Sequence, residues 1–126
     1  MKRFNYKVGK KGEEMARNYL AKKGYQILES NFATRFGEID LVCAKDEKLI
    51  FVEVKLKIGE VYGTPEEMID VKKVAQVRKT AQRFLLKNSR LAAKYPVYQI
   101  DAVCIVLAKD GSSSRIDHYE SLTQEL

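Results

Sequence analysis

The stretch Glu38–Lys57, EIDLVCAKDEKLIFVEVKLK, decides the architecture of this chain. Its first half alternates as a strand does, with Ile39, Leu41 and Cys43 on one face and Glu38, Asp40 and Val42 on the other. Its second half alternates again: Ile50, Val52, Val54 and Leu56 share a face, and Leu49, Phe51, Glu53 and Lys55 share the opposite one. Between them, Lys45-Asp46-Glu47-Lys48 has the length of an antiparallel hairpin turn. With Asp46 and Glu47 as the loop residues, Lys45 pairs with Lys48, and the ladder sets Asp40 opposite Glu53 and Glu38 opposite Lys55. Two acids then point the same way from adjacent strands, at a Cβ separation of about 4.5–5.5 Å where like charges repel. A divalent cation between them offsets that cost, and hard oxygen ligands suit Mg²⁺ or Mn²⁺. The alternatives are a one-residue slip in register, or neutralisation of the pair by Lys55 as a structural salt bridge.

Upstream of the hairpin, Val8, Met15, Ala16, Tyr19 and Leu20 recur at helical spacing and Gly24 follows Lys22 and Lys23, which predicts a helix over 8–23 and a short strand over Tyr25–Glu29. Glu13 turns toward the apolar face of that helix, either complementing the helix dipole from the first turn or serving a function. Downstream, Thr64-Pro65-Glu66-Glu67 has the form of a capping box, with a second helix start at Asp70. Val74, Val77, Ala81 and Leu85 then form an apolar stripe, while Lys72, Gln76, Lys79, Arg83 and Lys87 occupy another face. Tyr98–Ala108, apolar apart from Gln99 and Asp101, predicts a strand covered on both faces, and Ile116–Glu120 a final edge strand. The order predicts one α/β domain over 1–126, with a mixed, mainly five-stranded sheet flanked by helices.

Composition narrows the chemistry. Cys43 and Cys104 both fall in apolar runs without CxxC spacing, so they are core residues and zinc is excluded. No apolar run approaches the ~20 residues that span a bilayer and no leader precedes the first helix, which predicts a cytoplasmic protein with no membrane contact. The chain has 23 Lys and Arg against 17 Asp and Glu, and the excess is concentrated: Val71–Lys94 holds eight basic residues and no acidic one. A one-signed segment points to a polyanion, most simply nucleic acid, with a membrane surface or an acidic protein as competitors. The stripe of Lys72, Lys73, Gln76, Lys79, Arg83 and Lys87 is the candidate nucleic-acid-binding surface, and Lys7, Lys10 and Lys11 beside Glu13 give the other route. One histidine, His118, in an edge segment and expected at the surface, cannot supply a histidine-metal nuclease or a ribonuclease-type pair. The scattered glycines form no nucleotide loop. Carboxylates and lysine remain. An acid, any residue, then lysine occurs three times, but only Glu53-Val54-Lys55 lies inside an apolar strand with a second acid, Asp40, on its neighbour. Phosphodiester hydrolysis uses such a set: acids to hold a metal against the phosphate, and a lysine to orient water and neutralise developing charge.

Asp40 followed by Glu53-Val54-Lys55 resembles the PD-(D/E)XK signature of restriction-endonuclease-like nucleases. Gly9, Gly12-Glu13, Ala16, Leu20, Gly24-Tyr25, Asn31, Gly37-Glu38-Ile39-Asp40-Leu41, Phe51-Val52-Glu53-Val54-Lys55, Pro65-Glu66-Glu67 and Lys73 are similar to the bacterial YraN-type family of predicted endonucleases, related to archaeal Holliday-junction resolvases. The resemblance implies an αβββαβ core, metal-dependent nuclease chemistry, and Glu13, Asp40, Glu53 and Lys55 as site positions. Two positions depart from the family: Leu56 replaces a Thr or Ser beside Lys55, and Gln99 stands where an Arg is usual, which bears on a phosphate contact.

The expectation is therefore a Mg²⁺- or Mn²⁺-dependent DNA endonuclease for branched DNA such as Holliday junctions. Asp40 and Glu53 are its metal ligands, Lys55 orients water and stabilises charge, and Glu13 assists metal or water. Symmetric cleavage of a junction calls for two active sites and so for a homodimer. The rivals are a non-catalytic nucleic-acid-binding module with a vestigial acidic site, and an adaptor whose basic helix binds an acidic protein.

Overall fold

The computed structural model describes residues 2–122, with side chains for 8–112 and 115–122. Helix α1 (Lys2–Lys22) is followed by β1 (Gln26–Thr34), β2 (Gly37–Lys45), β3 (Lys48–Ile58), a short 3₁₀ helix (Pro65–Met68), α2 (Val71–Lys87), α3 (Ser89–Lys94), β4 (Val97–Leu107) and β5 (Ser113–Tyr119). The five strands form one sheet in the order β1-β2-β3-β4-β5, antiparallel throughout except that β3 and β4 run parallel. A parallel pair needs a crossover, and α2 supplies it. The expected mixed α/β architecture with a five-stranded sheet is present.

The hairpin turns as its loop predicts. Lys45 pairs with Lys48, and Asp46 and Glu47 both take positive φ, the conformation a two-residue hairpin loop needs. The ladder continues to Leu41–Val52 and ends there. Beyond it the simple alternation fails: Leu41 and Cys43 pack on the α1 side of the sheet, whereas Ile39 packs with Val42 on the α2 side. The cause is local. The Asp40 carboxylate accepts the Val54 N–H at 2.7 Å, a donor that the next ladder rung would otherwise use.

Each face of the sheet has its own core. On one, Ala16 and Leu20 of α1 meet Leu41, Cys43, Ile50, Val52, Val103 and Ile105; on the other, Val77, Ala81 and Phe84 of α2 meet Ile39, Val42, Leu49, Phe51 and Ile100. Cys43 and Cys104 are free and buried. Burial pushes both thiols up to about 12, as befits core residues. Helix α1 lies close against β3 at Gly12, where a Cβ would stand 3.0 Å from Leu56 Cβ. Leu56 thus packs onto α1 at the position that precedes Glu13.

Several boundaries differ from the sequence pattern. Helix α1 begins before residue 8, and β1 runs on to Thr34. The Thr64 side chain makes no capping bond and its helix is a single 3₁₀ turn; Asp70 caps α2 instead, accepting the Lys73 N–H at 2.8 Å. A break at Asn88 separates α2 from α3. No helix among the described residues is long and apolar enough to cross a membrane.

Candidate active site

Asp40 and Glu53 come together where the β2–β3 ladder ends. Glu53 is buried on the α2 side of the sheet, and the Asp40 carboxyl lies within hydrogen-bonding reach of it. Burial, then hydrogen bonding with Glu53 and the charge of Glu53, push the Asp40 carboxyl well above the usual carboxylate range; the Val54 N–H and the Lys55 charge oppose the shift without cancelling it. Lys73 reaches down from α2 to bring its Nζ within 2.9 Å of Glu53 Oε2. That buried oxygen nevertheless receives no directed hydrogen bond, so it has charge beside it and a lone pair unused.

Lys55, two residues on from Glu53, is half-buried and makes no ion pair among the described residues, although its charge acts on Asp40. It lines a groove of about 420 Å³ with Val8 and Gly9 of α1 and Met68 of the 3₁₀ helix. Glu13 is also half-buried. Its Oε1 accepts from Asn31 Nδ2 at 3.2 Å and lies 3.6 Å from the Arg17 guanidinium one turn on. Asn31 sits in β1 between the rungs Ser30–Leu41 and Phe32–Ile39, directly across from Asp40, with a left-handed backbone that asparagine tolerates well. Asn31 thus links Glu13 to the strand that carries Asp40.

Along α2, Lys72, Gln76, Lys79, Arg83 and Lys87 are exposed on one flank, while Lys73 is turned into the acid pair. Gln76 is already engaged, donating to the Phe36 carbonyl at 2.7 Å. Lys10 and Lys11 are exposed on α1; the Lys7 side chain lies outside the described residues.

A second polar cluster, on the α1 face, was not expected. Asp101 is fully buried, and His118 is buried rather than at the surface. Asp101 Oδ1 accepts from Gln99 Nε2 at 2.9 Å and from the Ser121 N–H at 3.0 Å, and its Oδ2 lies 2.8 Å from His118 Nε2. Lys23 Nζ, which can only donate, lies 2.8 Å from the other ring nitrogen; Nδ1 therefore accepts and Nε2 carries the proton toward Asp101. Gln99 accordingly serves Asp101 and does not face the acid pair.

The site's donors suit a hard cation. Two adjacent carboxylates with an unused buried oxygen match Mg²⁺, which keeps several waters and takes one or two protein carboxylates beside substrate phosphates. Among the described residues no group of three or more His, Cys, Asp or Glu could hold a metal, so a cage made wholly of protein ligands is absent there.

A mixed α/β fold with a buried carboxylate pair, a lysine beside it and a basic helix defines the class. The chain belongs to the UPF0102 family, the YraN-type family its motifs resemble: the model of "Uncharacterised protein family UPF0102" matches residues 12–105. A UPF0102 protein of Syntrophomonas wolfei is 45% identical over 115 residues, covering 91% of this chain and 96% of that protein. One of Persephonella marina is 50% identical over 85 residues, covering 68% and 73% respectively. Another, of Clostridium tetani, is 38% identical over 119 residues, covering 88% and 98%.

Proposed function

We propose that the protein is a metal-dependent DNA endonuclease of the restriction-endonuclease-like class, acting on branched DNA such as Holliday junctions. The observation that carries this reading is the Asp40–Glu53 pair: two carboxyls brought together where the β2–β3 ladder ends, with a buried Glu53 oxygen lacking a directed donor. Asp40 and Glu53 would hold a Mg²⁺ or Mn²⁺ ion, which when bound neutralises charge on the scissile phosphate. Lys55 orients the attacking water from the groove and stabilises charge as it develops. Glu13, held on α1 by Asn31 and Arg17, would assist the water or the ion. The exposed cations of α2 take the phosphate backbone. Branch preference rests on what the family resemblance implies, and two-fold cleavage of a junction calls for two active sites and so for a dimer. The test is the purified protein with Mg²⁺ or Mn²⁺ against single-stranded, duplex, flapped and four-way DNA. Cleavage that needs the ion and favours the branched forms supports the reading; no cleavage of any substrate opposes it.

One observation favours a second reading, a nucleic-acid-binding module with a vestigial acidic site. The Lys73 ammonium already compensates Glu53 without any metal. On that reading the protein binds DNA in a salt-sensitive way and never cuts it.

A further inference from the structure

At the β1–β2 turn, Phe36 is half-exposed with three cations around its ring: Arg83 at 5.0 Å from the centroid, Arg35 at 5.1 Å and Lys79 at 6.0 Å. None of the three pairs with an acid among the described residues. Like charges gathered on one ring repel one another, and cation–π attraction at an exposed site offsets only part of that. The ring also lines a hollow of about 460 Å³ with Lys79, Gln82, Arg83 and Leu86. Leu86 is 75% exposed and places an apolar side chain on this basic flank.

The turn that presents Phe36 is pinned. Thr34 Oγ1 accepts the Phe36 N–H at 3.1 Å and donates to the Gly37 carbonyl, and Gln76 Nε2 donates to the Phe36 carbonyl at 2.7 Å. Gly37 has φ +141, and a Cβ there would collide with the Gln76 amide, so glycine is required for the turn to sit on α2. The backbone that carries the ring is therefore held in place by these bonds.

We propose that this hollow takes an unpaired nucleobase. Phe36 and Leu86 supply apolar surface for its face, the Gln82 amide supplies a donor and an acceptor for its edge, and Arg35, Lys79 and Arg83 take the flanking phosphates. An aromatic ring ringed by cations is the combination that binds single-stranded nucleic acid with little sequence preference. A continuous duplex offers the same phosphates but keeps its bases stacked inside. The hollow therefore discriminates in favour of strands with splayed or unpaired bases, which deepens the nuclease reading by naming the feature of a branched substrate that this chain grips.

The chain contains no tryptophan, so Phe36→Trp creates a single reporter that retains the stacking surface. In EDTA, oligothymidylate should quench its fluorescence saturably, while a blunt duplex of equal length, bound through the same cations, should not. Phe36→Leu, whose backbone bonds in the turn are unchanged, should weaken oligothymidylate binding by about ten-fold and leave duplex binding within two-fold. Unquenched fluorescence in the Phe36→Trp protein at saturating oligothymidylate, equal losses on both ligands in Phe36→Leu, or no binding of either oligonucleotide would each overturn the inference. Because no metal or cleavage enters the assay, a protein that quenches but never cuts retains this site while losing the nuclease reading.

Discussion

The two faces of the sheet carry two buried polar clusters, and they differ in how completely they are satisfied. On the α1 face, both oxygens of Asp101 receive donors, and both ring nitrogens of His118 have partners. That cluster joins β4, β5 and α1 across long sequence separations and leaves nothing for a ligand to complete. On the α2 face, Asp40 and Glu53 press two carboxyls together, and Glu53 Oε2 lacks a directed hydrogen bond although Lys73 stands beside it. A fully paired buried network rigidifies a fold, whereas a frustrated one costs stability and persists where a function repays it. On the proposed reading, the contrast gives Asp101 a structural role and leaves the chemistry to Asp40 and Glu53.

Substitutions on either face can break that contrast. Glu53→Gln should lower ion-dependent cleavage by about a thousand-fold or more, because it removes a charged ligand while keeping the side chain's size and shape; a steady-state rate near wild type would move the site elsewhere. Lys55→Ala should lower turnover at saturating DNA about a hundred-fold with affinity nearly unchanged, since one phosphate contact contributes little to binding. Asp101→Asn should cost about 2–3 kcal/mol in urea unfolding, because its amide nitrogen must face a donor on one side or the other, yet leave the rate per folded molecule intact. If that variant folds well and loses cleavage, the division between the faces is wrong.

Smaller effects sharpen the picture. Replacing Lys79, Arg83 and Lys87 together with Gln should reduce the slope of log affinity against log salt by roughly two to three units if all three touch phosphates, weakening every duplex sequence alike; an unaltered slope would shift the DNA path toward Lys10 and Lys11. The smallest effect is on pH dependence in metal-free buffer. The pKa of Asp40 is raised on folding, so its contribution is fully present below the unfolded value and is lost as pH rises through the folded one. Wild type should therefore lose stability as pH climbs above the ordinary carboxylate range, and Asp40→Asn should flatten that loss and gain about 1 kcal/mol at neutral pH, or about 3–5 °C in Tm. A wild-type curve that stays flat or rises over that range would show that the pair does not repel.

Most of the sheet was legible because its signals are local. The alternation around Lys45–Lys48 and a loop of two residues fixed the β2–β3 register, and the β4 run announced a strand buried on both faces. Counting on that register sets Asp40 opposite Glu53, but the ladder ends at Leu41–Val52, one rung short of that pair. What counting missed lies where a side chain replaces a backbone partner or where distant segments meet. Asp40 taking the Val54 N–H moves Ile39 to the other face, an event no hydropathy pattern records. Lys72 and Lys73 are adjacent in sequence but about 100° apart around the helix, so one is exposed and the other reaches Glu53. Asp101 and His118 meet only through the β4–β5 pairing, and a lone histidine on a predicted edge strand gives no sign of burial. The sequence pattern ends the first strand at Glu29, yet β1 continues to Thr34 through Asn31, whose backbone is left-handed.

The central claim is that the frustrated pair, and not the satisfied one, performs chemistry. Its most direct test is cleavage of a four-way DNA junction by wild type, Asp40→Asn and Asp101→Asn, each at equal folded concentration, with Mg²⁺, with Mn²⁺ and with EDTA. We expect cutting by wild type and Asp101→Asn with either ion, none in EDTA, and none by Asp40→Asn under any condition while it still binds the junction. Ion-dependent cutting by Asp40→Asn at the wild-type rate, or no cutting by wild type with either ion, would contradict it.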